Sequence, residues 1–269
     1  MFGVELAKAW RRWRTYLIAV ALGGIPVLIV IAVNLSPPPA GSVSQDGPAF
    51  LEQIVRNGLF APLTGLAVIQ PFFLPLATGL LAGDAIAGEA YGGTLRYLLV
   101  RPVRRTRLVL AKYASVMSLL ALLLLWVVGC GAFWGGIVFG FGPLPTLSGT
   151  TLSVAEASAR ILAAAGYVLL GLSGIAAIGI FISTLTDSGP GATVATVILG
   201  IASEVCDQIP SLRVIHPFLP THGWLAFADL FRFPVEWGGM IGGLEISAAY
   251  TLVFLAGALV SFGRKDVVA

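Results

Sequence analysis

Six apolar runs recur along the chain, and short polar stretches separate them. Each is close to the roughly 20 residues that a helix needs to cross about 30 Å of hydrocarbon. The pattern predicts spans at Thr15 to Leu35, Phe60 to Ala82, Leu108 to Gly140, Arg160 to Ser183, Gly191 to Val205 and Met240 to Phe262, the fifth being the shortest. The connections alternate in chemistry. Lys8, Arg11, Arg12 and Arg14 precede the first span, Arg96, Arg101, Arg104, Arg105, Arg107 and Lys112 follow the second, and Arg264 and Lys265 follow the sixth. The connections of opposite parity hold only Arg56, Arg160, Arg213 and Arg232. The positive-inside bias therefore predicts a multi-pass protein of the cytoplasmic (inner) membrane with both termini in the cytoplasm, and an even number of spans agrees with it.

Composition narrows the class. Of 269 residues, 57% are hydrophobic and 11% charged, and mean hydropathy is +0.93, whereas soluble domains carry roughly a quarter charged residues. This excludes a soluble enzyme and leaves little chain for any soluble domain. The formal charge of +3 resides at the membrane ends of helices, so nucleic acid is not an expected partner. Cys130 and Cys206 lie in apolar runs without metal-ligand spacing and read as packing residues; no metal and no directly bound cofactor are expected.

Residues 1–14 read as a helix lying in the headgroup region, with Leu6, Trp10 and Trp13 on one face and Arg11, Arg12 and Arg14 spread over the other. The first apolar run exceeds the 7–15 residues of a signal-peptide core, so it reads as an uncleaved helix. After it, "SPPPAGSVSQDGP" begins with a proline run and is expected to be a loop, with a short helix at Leu51 to Asn57. "TLTDSGPG" reads as a tight turn into the start of a helix. Residues 206–239 are rich in Phe, Leu and Trp but interrupted by Pro210, Pro217, Pro220 and Pro234, the pattern of short broken helices dipping into the outer leaflet.

The most informative segment is the polar stretch at 83–107, "GDAIAGEAYGGTLRYLLVRPVRRTR". Gly88, Gly92 and Gly93 permit turns, Thr94 suits a helix N-cap, and Pro102 stops that helix. About two turns remain at Leu95 to Arg101, with Leu95, Leu98 and Leu99 on one face. So short a helix is marginal alone and needs a surface, either bilayer or protein partner. Elsewhere the signals are weaker. Ala192, Thr196 and Gly200, and likewise Ala132, Gly136 and Gly140, repeat every four residues and suit close helix approach, within one subunit or between two. Gln70, the polar side chain at the centre of the second span, precedes Pro71 and Pro75; it either satisfies carbonyls freed at a kink or faces a cavity. Glu204, Asp207 and Glu245 are expected at outer span ends within reach of water, which argues against a proton relay. His216 and His222 lack the spacing of a helical metal motif and read as pins for the broken helices.

The run Asp84, Glu89, Gly93-Thr94-Leu95, Leu98-Leu99, Arg101-Pro102-Val103, Arg105 and Lys112 resembles the cytoplasmic loop of permeases of the type-2 ATP-binding-cassette (ABC) exporter class. The opening "VELAKAWRRWRTYL", six spans, late broken outer helices and the tail "FGRKDV" are similar as well. The spacer "EAYGGTL" departs from the more charged one of many members. The resemblance implies a single all-α transmembrane domain over 1–269. It would have an interfacial N-terminal helix, a coupling helix between the second and third spans, and broken outer helices between the fifth and sixth. It further implies that Glu89, Gly93, Thr94, Leu95, Leu98, Leu99, Arg101, Pro102 and Arg105 couple the chain to a separate ATPase subunit, in two copies, which binds ATP-Mg. Two such permease copies, identical or paralogous, would pair, with Gln70, Ala192, Thr196 and Gly200 at the substrate path or dimer interface.

The chain lacks a G-x-x-x-x-G-K-[ST] phosphate loop, and "LSGT" at Leu147 lacks the glycines and glutamine of an ATPase signature, so the permease is expected not to be an enzyme. The leading expectation is export by alternating access, and the scarcity of fixed charge in the bundle favours an amphipathic or apolar cargo. The alternatives are a membrane component for envelope-enzyme assembly or immunity without bulk export, and a membrane-embedded enzyme using His216 or His222.

Overall fold

The computed structural model describes residues 2–36, 57–92, 105–146 and 148–264. The expected coupling helix at 95–101, most of the proline-rich loop at 37–56 and the end of the tail lie outside the described residues. Eight α-helices are described: α1 Phe2–Trp10, α2 Trp13–Leu35, α3 Phe60–Ile69, α4 Phe73–Tyr91, α5 Arg105–Phe139, α6 Val154–Leu185, α7 Gly189–Asp207 and α8 Gly238–Arg264. Five of them, α2 and α5 to α8, are each long and apolar enough to cross a membrane. α3 and α4 meet at 62° across Gln70 to Phe72, and together they are long and apolar enough for a broken span or a re-entrant loop. The protein is thus a helical membrane protein with five or six membrane-spanning elements among the described residues.

The break lies where Pro71 removes a backbone donor and Pro75 opens the first turn of α4. α3 packs mainly on α2 and α5, whereas α4 packs mainly on α6 and α7, and α6 in turn lies along α8. Close approach is set by glycine. A Cβ at Gly131 or Gly135 of α5 would run into Pro62 and Gly58 beside α3. On α4, a Cβ at Gly83 would come within 2.6 Å of the Thr193 backbone, and one at Gly79 within 2.5 Å of the Val197 side chain. α7 starts on a side-chain cap, Ser188 Oγ accepting from Gly191 N–H (3.2 Å), with Pro190 in its first turn.

The N-terminal element is shorter than the expected 1–14 helix. Arg12 is extended (φ −74°, ψ 130°) and separates α1 from α2, and Thr15 closes the corner by donating to Ala9 O at 2.6 Å. At the far end a two-stranded hairpin pairs Leu144 with Leu152 and Pro145 with Thr151, a small departure from the all-α expectation. The segment after α7 is broken as its prolines dictate, into 3-10 turns Pro210–Leu212, His216–Phe218 and Trp224–Phe231. Trp224, Phe227 and Phe231 are buried and pack against α6 and α8.

Candidate functional site

The end of the bundle that carries α1 also carries both chain segments flanking residues 93–104. There, four charged side chains from three helices meet. Lys112 of α5 places its ammonium 2.7 Å from Glu5 Oε2 of α1 and 2.6 Å from Glu89 Oε1 of α4, and Lys8 of α1 reaches the same Glu89 oxygen at 2.5 Å. Glu5, Glu89 and Lys112 are all buried, at 7%, 2% and 4% exposure. Two cations balance two carboxylates, which is what lets three of them leave water. The periodicity explains how α1 takes part: Glu5 and Lys8, three residues apart, fall on neighbouring turns of one face. That face leans on α5, and Val4 and Trp10 point away, exposed.

Three further ties secure this end. Asp84 of α4 takes Arg12 at 2.8 Å and Arg14 at 3.7 Å. Ser183 Oγ of α6 accepts the backbone N–H groups of Ile86 (3.0 Å) and Ala87 (2.8 Å). Arg105, at the start of α5, donates to Phe262 O (3.3 Å) and Gly263 O (3.1 Å), where the last carbonyls of α8 lack helical partners. Of the residues singled out in sequence, Glu89 and Arg105 are therefore anchored here, while Gly93, Thr94, Leu95, Leu98, Leu99, Arg101 and Pro102 lie outside the described residues.

The second group of candidates is dispersed through the bundle. Gln70, buried at the α3–α4 break, donates from Nε2 to Trp224 O at 2.9 Å, so it binds the far-end segment to the elbow. Ala192, Thr196 and Gly200 are all buried within the chain: Ala192 and Thr196 face Gly83 and Gly179, and Gly200 faces Pro75. Their small side chains are used against α4 and α6. On α5, Gly131 and Gly135 are the glycines pressed against α3 and the residues before it, while the expected Gly136 lies against the Phe141 ring.

At the far end, His222 Nδ1 lies 2.8 Å and His216 Nδ1 3.8 Å from Asp207 Oδ1, and His216 Nε2 lies 3.1 Å from Ile209 O. Tyr167 donates to Gly223 O (2.6 Å), Tyr250 to Phe218 O (2.7 Å) and Arg160 to Leu230 O (2.5 Å), so the broken segment is held by side chains from α6, α7 and α8. Glu204 corrects the expectation of a water-exposed carboxylate: it is buried at 6% exposure and takes Gln208 Nε2 at 3.2 Å. Among the described residues no group of three His, Cys, Asp or Glu side chains is arranged to hold a metal.

Fold and site together define a polytopic helical membrane protein whose N-terminal helix α1 is clamped by buried charge to α4 and α5. The chain belongs to the family described as a protein of unknown function, DUF2705, whose model matches residues 49–268. It is also similar to the probable ABC transporter permease protein NosY of Stutzerimonas stutzeri, 40% identical over 86 residues, which is 32% of this chain and 31% of that protein. The protein of the same description from Pseudomonas aeruginosa (strain PAO1) is 38% identical over 86 residues, again 32% and 31%. The matched stretch thus spans less than a third of the length of these relatives.

Proposed function

We propose that this chain is the membrane-spanning permease subunit of an ABC transporter of the type-2 exporter class. In this reading two permease copies assemble with two copies of a separate ATPase subunit in the cytoplasmic membrane, termini inward. An amphipathic or apolar cargo moves outward by alternating access. The observation that carries the reading is the 86-residue stretch 40% identical to a probable ABC transporter permease, in a chain with five or six elements long and apolar enough to cross a membrane. ATP and Mg are handled by the partner, and the chain itself catalyses nothing.

The clamp at the basic end supplies the mechanics. Glu89 lies near the last turn of α4 and Lys112 near the first turns of α5, so the two helices that flank residues 93–104 share one ionic knot. A coupling helix at Leu95 to Arg101, pressed by closing ATPase subunits, would then move α4, α5 and α1 together, as a rigid body. Leu95, Leu98 and Leu99 form its contact ridge, and Pro102 ends it.

Co-purification of the full chain with a cassette ATPase tests the reading. The expected result is a stable complex whose ATP-driven transport is abolished by Leu98→Asp, with membrane insertion intact. Normal transport in that variant would remove the coupling role from the ridge. Failure of any cassette ATPase encoded beside the chain to bind it would remove the permease reading.

A further inference from the structure

The two ionic knots at the basic end differ in charge balance. In the first, Lys8 and Lys112 face Glu5 and Glu89, so the charges cancel. In the second, Arg12 and Arg14 both turn to one oxygen of one carboxylate, Asp84 Oδ2, and Arg11 lies exposed beside them. Asp84 is drawn down between helices by two glycines: a Cβ at Gly88 would collide with its carboxylate, and one at Gly189 would come within 2.5 Å of Oδ1. The guanidiniums stay above it, with 38% and 57% of their side chains exposed. Beside them opens a cavity of about 290 Å³ lined by Arg12, Trp13, Arg14, Asp84 and Tyr91. Two rigid guanidinium forks with one carboxylate between them hold a positive excess that suits a phosphodiester.

What surrounds the cavity selects among phosphates. Trp13 and Tyr91 border it while 68% and 77% exposed, the exposure of amphipathic rings at headgroup depth. From Trp13, residues Leu17, Val20 and Leu28 follow at four, seven and fifteen positions along α2, one helical face, and all three are exposed. Gly24 falls on the same stripe, with open space where its side chain would be. An apolar track therefore runs from the arginine corner along the span.

We infer that this corner binds the headgroup of an anionic phospholipid, its phosphate held between Arg12 and Arg14 and its acyl chains lying along the Trp13, Leu17, Val20 and Leu28 stripe. The site needs only the bilayer and is independent of the transport reading.

Native mass spectrometry of the full chain, released from bilayer discs holding equal phosphatidylglycerol and phosphatidylcholine of the same acyl chains, tests it. At about 1 kcal/mol per net positive charge near the surface, the single charge that Asp84 leaves uncompensated gives a preference for bound phosphatidylglycerol of about fivefold. The double variant Arg12→Gln, Arg14→Gln is expected to bring it near parity, Arg12→Lys, Arg14→Lys to keep most of it, and Arg232→Gln at the opposite end to leave it unchanged. Equal retention of the two lipids by the unaltered chain would overturn the inference, as would an unchanged preference in the double glutamine variant. Displacement of the lipid by soluble glycerol phosphate would also overturn it, because the corner would then be a free-phosphate site. Should the glutamine variant fail to insert, Asp84→Asn carries the test: releasing the arginines is expected to raise retention, and unchanged or lower retention counts against the site.

Discussion

Lys112→Met separates a structural clamp from a decorative surface pair. The methionine fills most of the lysine's volume but leaves Glu5 facing no ammonium, while Glu89 keeps Lys8. Breaking a buried ion pair by removing one partner costs about 3–5 kcal/mol, because the remaining charge has lost its compensation. Since α1 can swing outward and return Glu5 to water, the lower end of that range applies, and the cost appears as undocking of α1. About 3 kcal/mol is a little over a hundredfold in the closed-to-open ratio, at 1.4 kcal/mol per tenfold. Hydrogen exchange on the full chain in detergent should show α1 amides losing protection by about that factor, with α6 and α8 unaffected. Lys8→Met is the internal control. Its side chain is 43% exposed and its partner Glu89 retains Lys112, so water screens more of its charge and its loss should have the smaller effect. Equal effects from the two substitutions, or undiminished α1 protection in Lys112→Met, would refute the argument that buried charge holds α1 in place.

Other sites give sharper local tests. Gly83→Ala forces a methyl against the Thr193 backbone and should cost about 1–3 kcal/mol in thermal stability; Gly129→Ala and Gly166→Ala, with nothing within 4 Å of the new carbon, should be neutral or slightly stabilising. Gln70→Leu leaves Trp224 O without its donor in a buried site, a loss of about 1–3 kcal/mol. The expected sign is faster proteolytic cleavage within the far-end segment at 210–231.

The spans were readable because a 20-residue apolar run has one stable solution in hydrocarbon, and most helix ends fall within two or three residues of the expected bounds; α4 runs on to Tyr91, past Ala82, and α6 starts at Val154, before Arg160. The break at Gln70 to Phe72 was legible in its prolines. The clamp was only half legible. Lys8 and Lys112 count as basic markers in any topology argument, but Glu5 lies in an amphipathic segment where an acidic residue carries no distinctive signal. Only the packing of α1 on α5 brings Glu5 to Lys112. The stripe Ala192, Thr196 and Gly200 indicated close approach but not the neighbour, because small residues fit equally well against a helix of the same chain or of another. Gly79 and Gly83, which lie against Thr193 and its neighbours on α7, have the same four-residue spacing, but one was read as part of an apolar span and the other as the start of a charged segment.

The elbow between α3 and α4 sets its two limbs against different helices: α3 packs on α2 and α5, and α4 on α6 and α7. Because the Glu89–Lys112 pair holds the bases of α4 and α5 together, a tilt of the α3 side against the α4 side beyond that clamp would be taken up by rotation at three residues, as in a crankshaft, and no helix would have to unwind. Because Gln70 fastens that pivot to the Trp224 carbonyl, the same rotation would reach the opposite face of the bilayer through one amide.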